Sequence, residues 1–346
     1  MDRPYEQIDQ FDRLPDELLL LILNRVREAK SLTRCLAVSK RLALLMPRID
    51  SVFLPIPRRP VRPKPSRRFP LNFLAKSVRF LRRAITPKSS SDCCDDDDDN
   101  YYDPHEILKR FGEIHSLDIE IPSCGTEIEE PLLKWFADFG AGLNSCVIVG
   151  ANSLEKMEGT GNCALEEKAE AAEPPELVLT DKDLKLRIVW IISCLIAAAS
   201  RHVLLKDLIG KKPKLNDVQI TDAGKQGKLC MGKEQVAEVR SLAAGSGPES
   251  RSLERSVVPD LKMKLWFVPE MELPDTGFVM KGVTLVVIRP AKEENDWLVD
   301  DGGSSIWEWF GGDDDRDERG KAFGEAVREL RKMKMKRSFI MEMNSF

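Results

Sequence analysis

Phe11-Asp12-Arg13-Leu14-Pro15-Asp16-Glu17-Leu18-Leu19-Leu20-Leu21-Ile22-Leu23-Asn24-Arg25-Val26 is the most informative stretch of the 346-residue chain. Pro15 suits a first helical position, where its missing N–H would have no partner anyway. Asp16 and Glu17 then complement the positive end of the helix. Leu18 to Leu23 are six successive apolar residues, so this helix is apolar on nearly all sides and must be covered on more than one. A second helix is expected after Ser31, a good N-cap, running from Leu32 to Met46 and stopped by Pro47. Residues 12 to 47 number 36, and a helical unit below about 40 residues rarely holds itself together. Its own partner helix can cover one face of Leu18–Leu23 but not both. The physics asks for a second protein on the other face.

Leu14-Pro15-Asp16-Glu17-Leu18, then Ile22-Leu23 and Val26, then Leu32, Cys35 and Val38-Ser39-Lys40-Arg41 resemble the F-box. The resemblance implies docking onto the Skp-type adaptor and, through it, a cullin–RING ubiquitin ligase of the SCF type. It implies that Leu14, Pro15, Leu18, Ile22, Leu23, Leu32, Cys35, Val38, Ser39, Lys40 and Leu42 face the adaptor or shape that surface. Many F-boxes carry Trp or Phe where Leu42 stands, so some contact area is lost here. Beyond the motif, Ser31–Arg41, Asp50-Ser-Val-Phe53, Pro131–Gly140 and Lys264-Leu-Trp266-Phe267-Val-Pro269 are similar to the plant auxin-up-regulated F-box subgroup.

The expected fold class is α/β: a small all-helical F-box at residues 8–50, followed by a degenerate leucine-rich-repeat-like α/β domain at 105–340. Between them, 51–104 reads as a linker. Pro55, Pro57, Pro60, Pro63, Pro65 and Pro70 crowd its start, Ser51–Ser91 holds Lys and Arg but no acid, and Asp92–Glu106 holds acids but no Lys or Arg. Such charge blocks repel themselves and rarely bury a core, although Leu71–Ile85 could form a basic helix. Strands are expected at Ser116–Ile121, Ser145–Val149, Asp217–Thr221, Met263–Val268 and Gly282–Ile288. Helices are expected at Leu132–Phe139, ended by Gly140, and at Asp181–Ile209, capped by Asp181 or Thr180 and stopped by Gly210. A third, basic helix is expected at Lys321–Phe339. Loops are expected at 151–179, 241–259 and 300–319. Helix, loop and short strand is the unit of a leucine-rich solenoid. The leucine spacing is poor, and a compact α/β sheet is the alternative.

The eight cysteines include no CxxC pair, and the N-terminus lacks the charge order of a secretory leader, so a reduced, intracellular protein in the nucleus or cytoplasm is expected. The longest apolar run, Ile188–Ala199, is short for a bilayer and fits a core helix, so no membrane is expected. With three histidines and none at zinc spacing, neither a metal nor a cofactor is expected, and no catalysis.

Four other constellations stand out in the chain. Gly227-Lys-Leu-Cys-Met-Gly232-Lys233-Glu234 nearly spells a phosphate-binding loop, but Glu234 stands where the magnesium-holding hydroxyl belongs. Asp95, Asp97, Asp99, Asp103 and Glu106 sit at calcium-loop spacing without an entering helix. Arg58, Arg59, Arg62, Lys64, Arg67 and Arg68 lack interleaved aromatics, so nucleic acid is not an expected partner. Ile306-Trp307-Glu308-Trp309-Phe310 either docks a partner or caps the core. The expected function is a substrate receptor for an unknown protein target. The alternatives are an adaptor-binding scaffold that delivers nothing, and a nucleotide-binding protein using residues 227–233.

Overall fold

The computed structural model describes residues 10–56, 104–123, 132–157, 179–245, 259–291, 305–311, 317–332 and 338–343. The chain forms two compact units. One comprises Met1–Ser123, Ser200–Gly224 and Cys230–Arg255; the other Cys124–Ala199, Lys225–Leu229 and Ser256–Phe346.

The first unit opens with three helices: α1 (Asp16–Val26), α2 (Ala29–Val38) and α3 (Lys40–Leu45). The single second helix expected from the sequence is therefore two. Ser39 is extended, with φ −147° and ψ 138°, and its hydroxyl accepts a hydrogen bond from the Arg41 N–H at 3.2 Å. Ser39 is thus an N-cap in mid-segment. Ser31 is not a cap; it lies inside α2 and donates to the Glu28 carboxylate. Leu19 and Leu23, one turn apart, are buried together with Ala29, Leu32, Leu45, Met46 and Ile49, which gives the helices a small shared core.

Arg27 ends α1 in the left-handed region, at φ 53°, an uncommon conformation for a residue with a Cβ. That geometry turns the chain so that the Arg27 carbonyl accepts from Phe53 N–H at 2.7 Å. The Arg27 side chain donates to Ser51 Oγ at 2.9 Å and pairs with the Asp118 carboxylate. Phe53 lies in β1 (Ser51–Pro55), and Asp118 in β2 (Ser116–Ile121). The residues 51–55 expected to begin the linker are instead a strand, because they alternate in burial: Val52 and Leu54 face inward. A short helix, α4 (Pro104–Lys109), precedes β2. The remainder of the expected linker, including the basic, proline-rich and acidic stretches, lies outside the described residues.

The first unit's sheet is parallel. β1 pairs with β2 in the register Ser51↔Ser116, and β2 pairs with β6 (Asp217–Asp222) in the register Ser116↔Asp217. Leu117, Ile119, Val218 and Ile220 alternate inward. These parallel pairs are one part of a mixed α/β fold and carry no repeat spacing.

The second unit's sheet is antiparallel throughout. Its strands are β3 (Leu132–Phe139), β4 (Leu143–Ala151), β5 (Ser153–Lys156), β8 (Leu261–Leu273), β9 (Phe278–Pro290) and β10 (Ser338–Met343). β3 pairs with β4, β4 with β9, β9 with both β5 and β8, and β8 with β10. This is the compact sheet rather than a solenoid, since a leucine-rich stack needs parallel neighbours. Leu132–Phe139, expected as a helix, is β3, with Trp135 opposite Ile148 and a tight turn that carries the Gly140 N–H to Gly142 O at 2.9 Å. Gly140 ends a hairpin strand, not a helix.

The long helix α5 (Asp181–Lys211) forms as expected and runs two residues past Ile209. Thr180 is its cap: its hydroxyl accepts from Asp183 N–H at 3.2 Å and donates to the Asp183 carboxylate at 2.6 Å. Gly210 lies inside the last turn. By length and composition α5 could cross a bilayer, but half of its most apolar window is buried in protein. α6 (Lys233–Gly245) follows the strand β7 (Gly227–Met231), so the helix reaches into the expected 241–259 loop. Likewise α7 (Ser305–Gly311) forms within the expected 300–319 loop. α8 (Glu318–Lys332) stops short of the expected helix end, and Phe339 belongs to β10, opposite Leu265.

Candidate functional site

The N-terminal helices bury one set of apolar side chains and leave another bare. Leu18, Leu21, Ile22 and Val26 of α1 are exposed, as are Val38 at the end of α2 and Leu44 of α3. Leu21, Val38 and Leu44 keep 69%, 76% and 78% of their surface in water. Leu18, Leu21, Ile22 and Val26 recur at helical spacing and share one side of α1, a bare apolar face. Helix α1 is therefore amphipathic in a particular sense: Leu19 and Leu23 face its own core, and Leu18 and Ile22 face outward.

The residues expected to meet the adaptor divide accordingly. Pro15, Leu18, Ile22, Val38 and Lys40 are exposed, and Leu14, Cys35, Ser39 and Leu42 are half-buried beside them. Leu23 and Leu32 do not face outward and belong with the residues that shape the surface from beneath. Leu32 is fully buried and Leu23 nearly so, and they hold the helices together beneath the face. Leu21 and Leu44, outside the expected set, are exposed on the same helices, and their apolar runs gave no sign of that outward direction.

Arg41 fixes the entry to α1. Its Nε donates to Asp16 Oδ1 at 2.9 Å and a terminal nitrogen lies 2.7 Å from the same oxygen. It also donates to the carbonyls of Phe11, at 3.2 Å, and Leu14. One planar guanidinium thus ties the Leu14-Pro15 turn to α3. Asn24 adds a second tie, accepting from Asp50 N–H at 2.9 Å.

The glycine-bearing stretch 227–234 does not form a phosphate-binding loop. Gly227 to Met231 are the strand β7 and Lys233 begins α6, leaving Gly232 alone between them. A phosphate cradle needs several loop N–H groups pointing inward together, and a strand followed by one residue does not provide them. Gly227 instead lies flat on an indole: a Cβ there would come within 2.2 Å of Trp135. Among the described residues there is no group of three or more His, Cys, Asp or Glu placed to hold a metal; the acidic Asp95–Asp103 tract lies outside them.

The aromatic cluster both caps the core and stays partly open. Phe310 is fully buried, and Trp309 Nε1 donates to Trp135 O at 3.1 Å. Lys134 and Lys228 place their ammonium groups 5.4 and 5.5 Å from the Trp309 ring. Trp307 is half-buried, with the Arg331 guanidinium stacked 4.6 Å from its ring.

An N-terminal helical segment with this bare apolar face is followed by a mixed α/β portion. Residues 11–48 match the F-box-like family. The Arabidopsis thaliana F-box protein At1g30200 is 35% identical over 98% of this chain and 94% of its own length. F-box protein AUF2 and F-box protein AUF1, also from Arabidopsis thaliana, are each 32% identical over 98% of this chain and all of theirs. No solved structure matches the chain. The chain belongs to the F-box protein family.

Proposed function

We propose that this chain is the substrate-recognition subunit of an SCF-type E3 ubiquitin ligase, working in the nucleus or cytoplasm. The observation that carries this is the set of exposed apolar side chains Leu18, Leu21, Ile22, Val38 and Leu44, held on helices whose own core is already filled by Leu19, Leu23 and Leu32. Such a face has nothing left to cover within its own hairpin, and the Skp-type adaptor is the partner that F-box helices take. The α/β portion then holds a protein target. Tethering raises the effective concentration of a target lysine near the charged conjugating enzyme. No residue of this chain acts as acid, base or nucleophile in that scheme.

Co-purification tests the proposal. The wild-type chain should capture a plant Skp-type adaptor and a cullin scaffold, and Leu14→Ala/Pro15→Ala should weaken that capture. Reconstituted with charged conjugating enzyme, the assembly should modify a bound target. Modification of the chain itself and of nothing else would favour the scaffold reading instead.

A further inference from the structure

We propose that the groove between α7 and α8 reads the target, taking a peptide segment in which an acidic side chain sits beside an apolar one. This deepens the receptor function and rests on it. The groove measures about 290 Å³ and is lined by Trp307, Glu308, Gly311, Gly324, Val327, Arg328 and Arg331.

Its shape follows from two glycines. A Cβ on Gly324 would fall 2.6 Å from Gly311 Cα, so the helices touch there with no side chain to fill the surface above them. Val327 and Gly324 are buried and form the floor; Trp307 makes a wall. Sites for drug-sized ligands run from roughly 300 to 1,000 Å³. A groove at the foot of that range admits one or two side chains of a passing peptide, not a nucleotide.

Its charge is asymmetric. Arg328 and Arg331 stand one turn apart on the same side of α8, both exposed, and Glu308 stands on α7. Arg331 is stacked on Trp307, which holds the guanidinium in one plane and leaves its N–H edge as the natural fork for a carboxylate. Arg328 lies 3.2 Å from Asp275, but that pair is more than half exposed on both sides, so an incoming carboxylate displaces it at little cost. Glu308 repels an acid at the α7 rim. The acidic residue therefore meets α8, and the apolar residue beside it lies on Trp307 and Val327.

The platform is rigid. Glu325, buried on the same helix, accepts from Asp275 N–H at 2.8 Å, Thr276 N–H at 2.9 Å and Thr276 Oγ1 at 2.6 Å. These bonds lock α8 to the turn between β8 and β9. Arg328 and Arg331 consequently leave an anchored helix one turn apart, so the backbone needs no reordering when a peptide arrives.

The test is an array of fluorescein-labelled octapeptides that combine Glu with Leu or Phe in every order, each paired with its Gln counterpart. Polarisation is read with the full chain, both alone and bound to adaptor. The wild type should bind a subset of acidic peptides roughly tenfold more tightly than their Gln counterparts. Arg331→Glu and Arg328→Glu, both surface changes, should each abolish that preference while adaptor capture is unchanged. If no acidic peptide binds, or if binding survives both reversals, the groove is not the reading site. If the wild-type chain fails to hold any adaptor, the receptor function falls instead, whatever the array shows.

Discussion

Arg41 of α3 and Asp16 of α1, 25 residues apart in the chain, meet at 2.9 Å and lock the turn that carries Leu14 and Pro15. The same guanidinium satisfies the Phe11 and Leu14 carbonyls. The pair is half-exposed, so its ionic part is worth little by itself; its value lies in fixing where α1 begins. Arg41→Ala should lower stability by about 1–2 kcal/mol, read by urea denaturation. It should also weaken adaptor binding although Arg41 need not touch the adaptor. Arg41→Lys should rescue only part of the loss, because an ammonium cannot reach these partners in one plane.

Arg187 is the largest fully buried side chain among the described residues. It donates to Asp183 and Asn152 at 3.0 Å, to Gly282 O at 3.1 Å and to Thr284 Oγ1 at 3.2 Å, and lies 5.2 Å from both the Trp190 and Phe267 rings. It thereby bolts α5 to β9. Arg187→Ala should destabilise the fold by about 3–5 kcal/mol, since it empties a filled site and strips Asp183 and Asn152 of a partner. Thermal unfolding of the purified variant checks this.

The cap of that helix sets a pH dependence. The Thr180 hydroxyl, aided by Arg187, holds the Asp183 carboxyl below its ordinary value. A depressed folded value means that the unfolded chain takes up the proton first as pH falls. The contribution is present above about pH 4 and is lost below it, as pH descends through the folded value. Thr180→Ala should flatten this acid loss and cost about 0.5–2 kcal/mol at neutral pH. Urea midpoints of the two chains between neutral and acid pH give the comparison.

Cys146 faces the interior from β4, and burial pushes its thiol up to about 12. The thiolate is the reactive form. Iodoacetamide near pH 8 should modify the half-buried Cys35 and Cys230 well before Cys146, and denaturation should erase the difference. Peptide mapping by mass spectrometry reads the order.

Much of this architecture was legible. Pro15-Asp16 gave the start of α1, and alternation gave β2 and β6 almost residue for residue. Thr180 gave the start of α5. The failures have physical causes. Leu132–Phe139 is a short apolar run, and a run of that length suits a strand or a helix until its partner is known; pairing with β4 decided it. Ser39 reads as an interior residue because Leu36-Ala37-Val38 and Leu42-Ala43-Leu44 continue a helical composition on both sides. Phe339-Ile340 follows a basic helical stretch, and only the neighbour β8 makes it a strand. At the docking face, the residue types were readable but their directions were not. Leu23 and Leu32 differ from Leu18 and Ile22 only in which side of the hairpin they occupy, and no spacing rule distinguishes two faces that are both apolar.

Gly227 illustrates a constraint that a motif search misreads. Its place in β7 lets the backbone pass against the Trp135 indole. Gly227→Ala should destabilise by about 1–3 kcal/mol through overpacking. Addition of ATP and magnesium should not raise the melting temperature of either chain, as it would if residues 227–233 bound nucleotide.

The most direct measurement is calorimetric titration of a purified plant Skp-type adaptor into the full chain and into its Leu18→Asp and Val38→Asp variants. Both side chains are exposed, so the variants should fold and melt as the wild type does. The expected result is saturable wild-type binding that each aspartate weakens at least roughly tenfold by placing a charge in an apolar contact. Wild-type affinity retained in both variants, or no binding of wild type to any adaptor in a panel, would contradict the account.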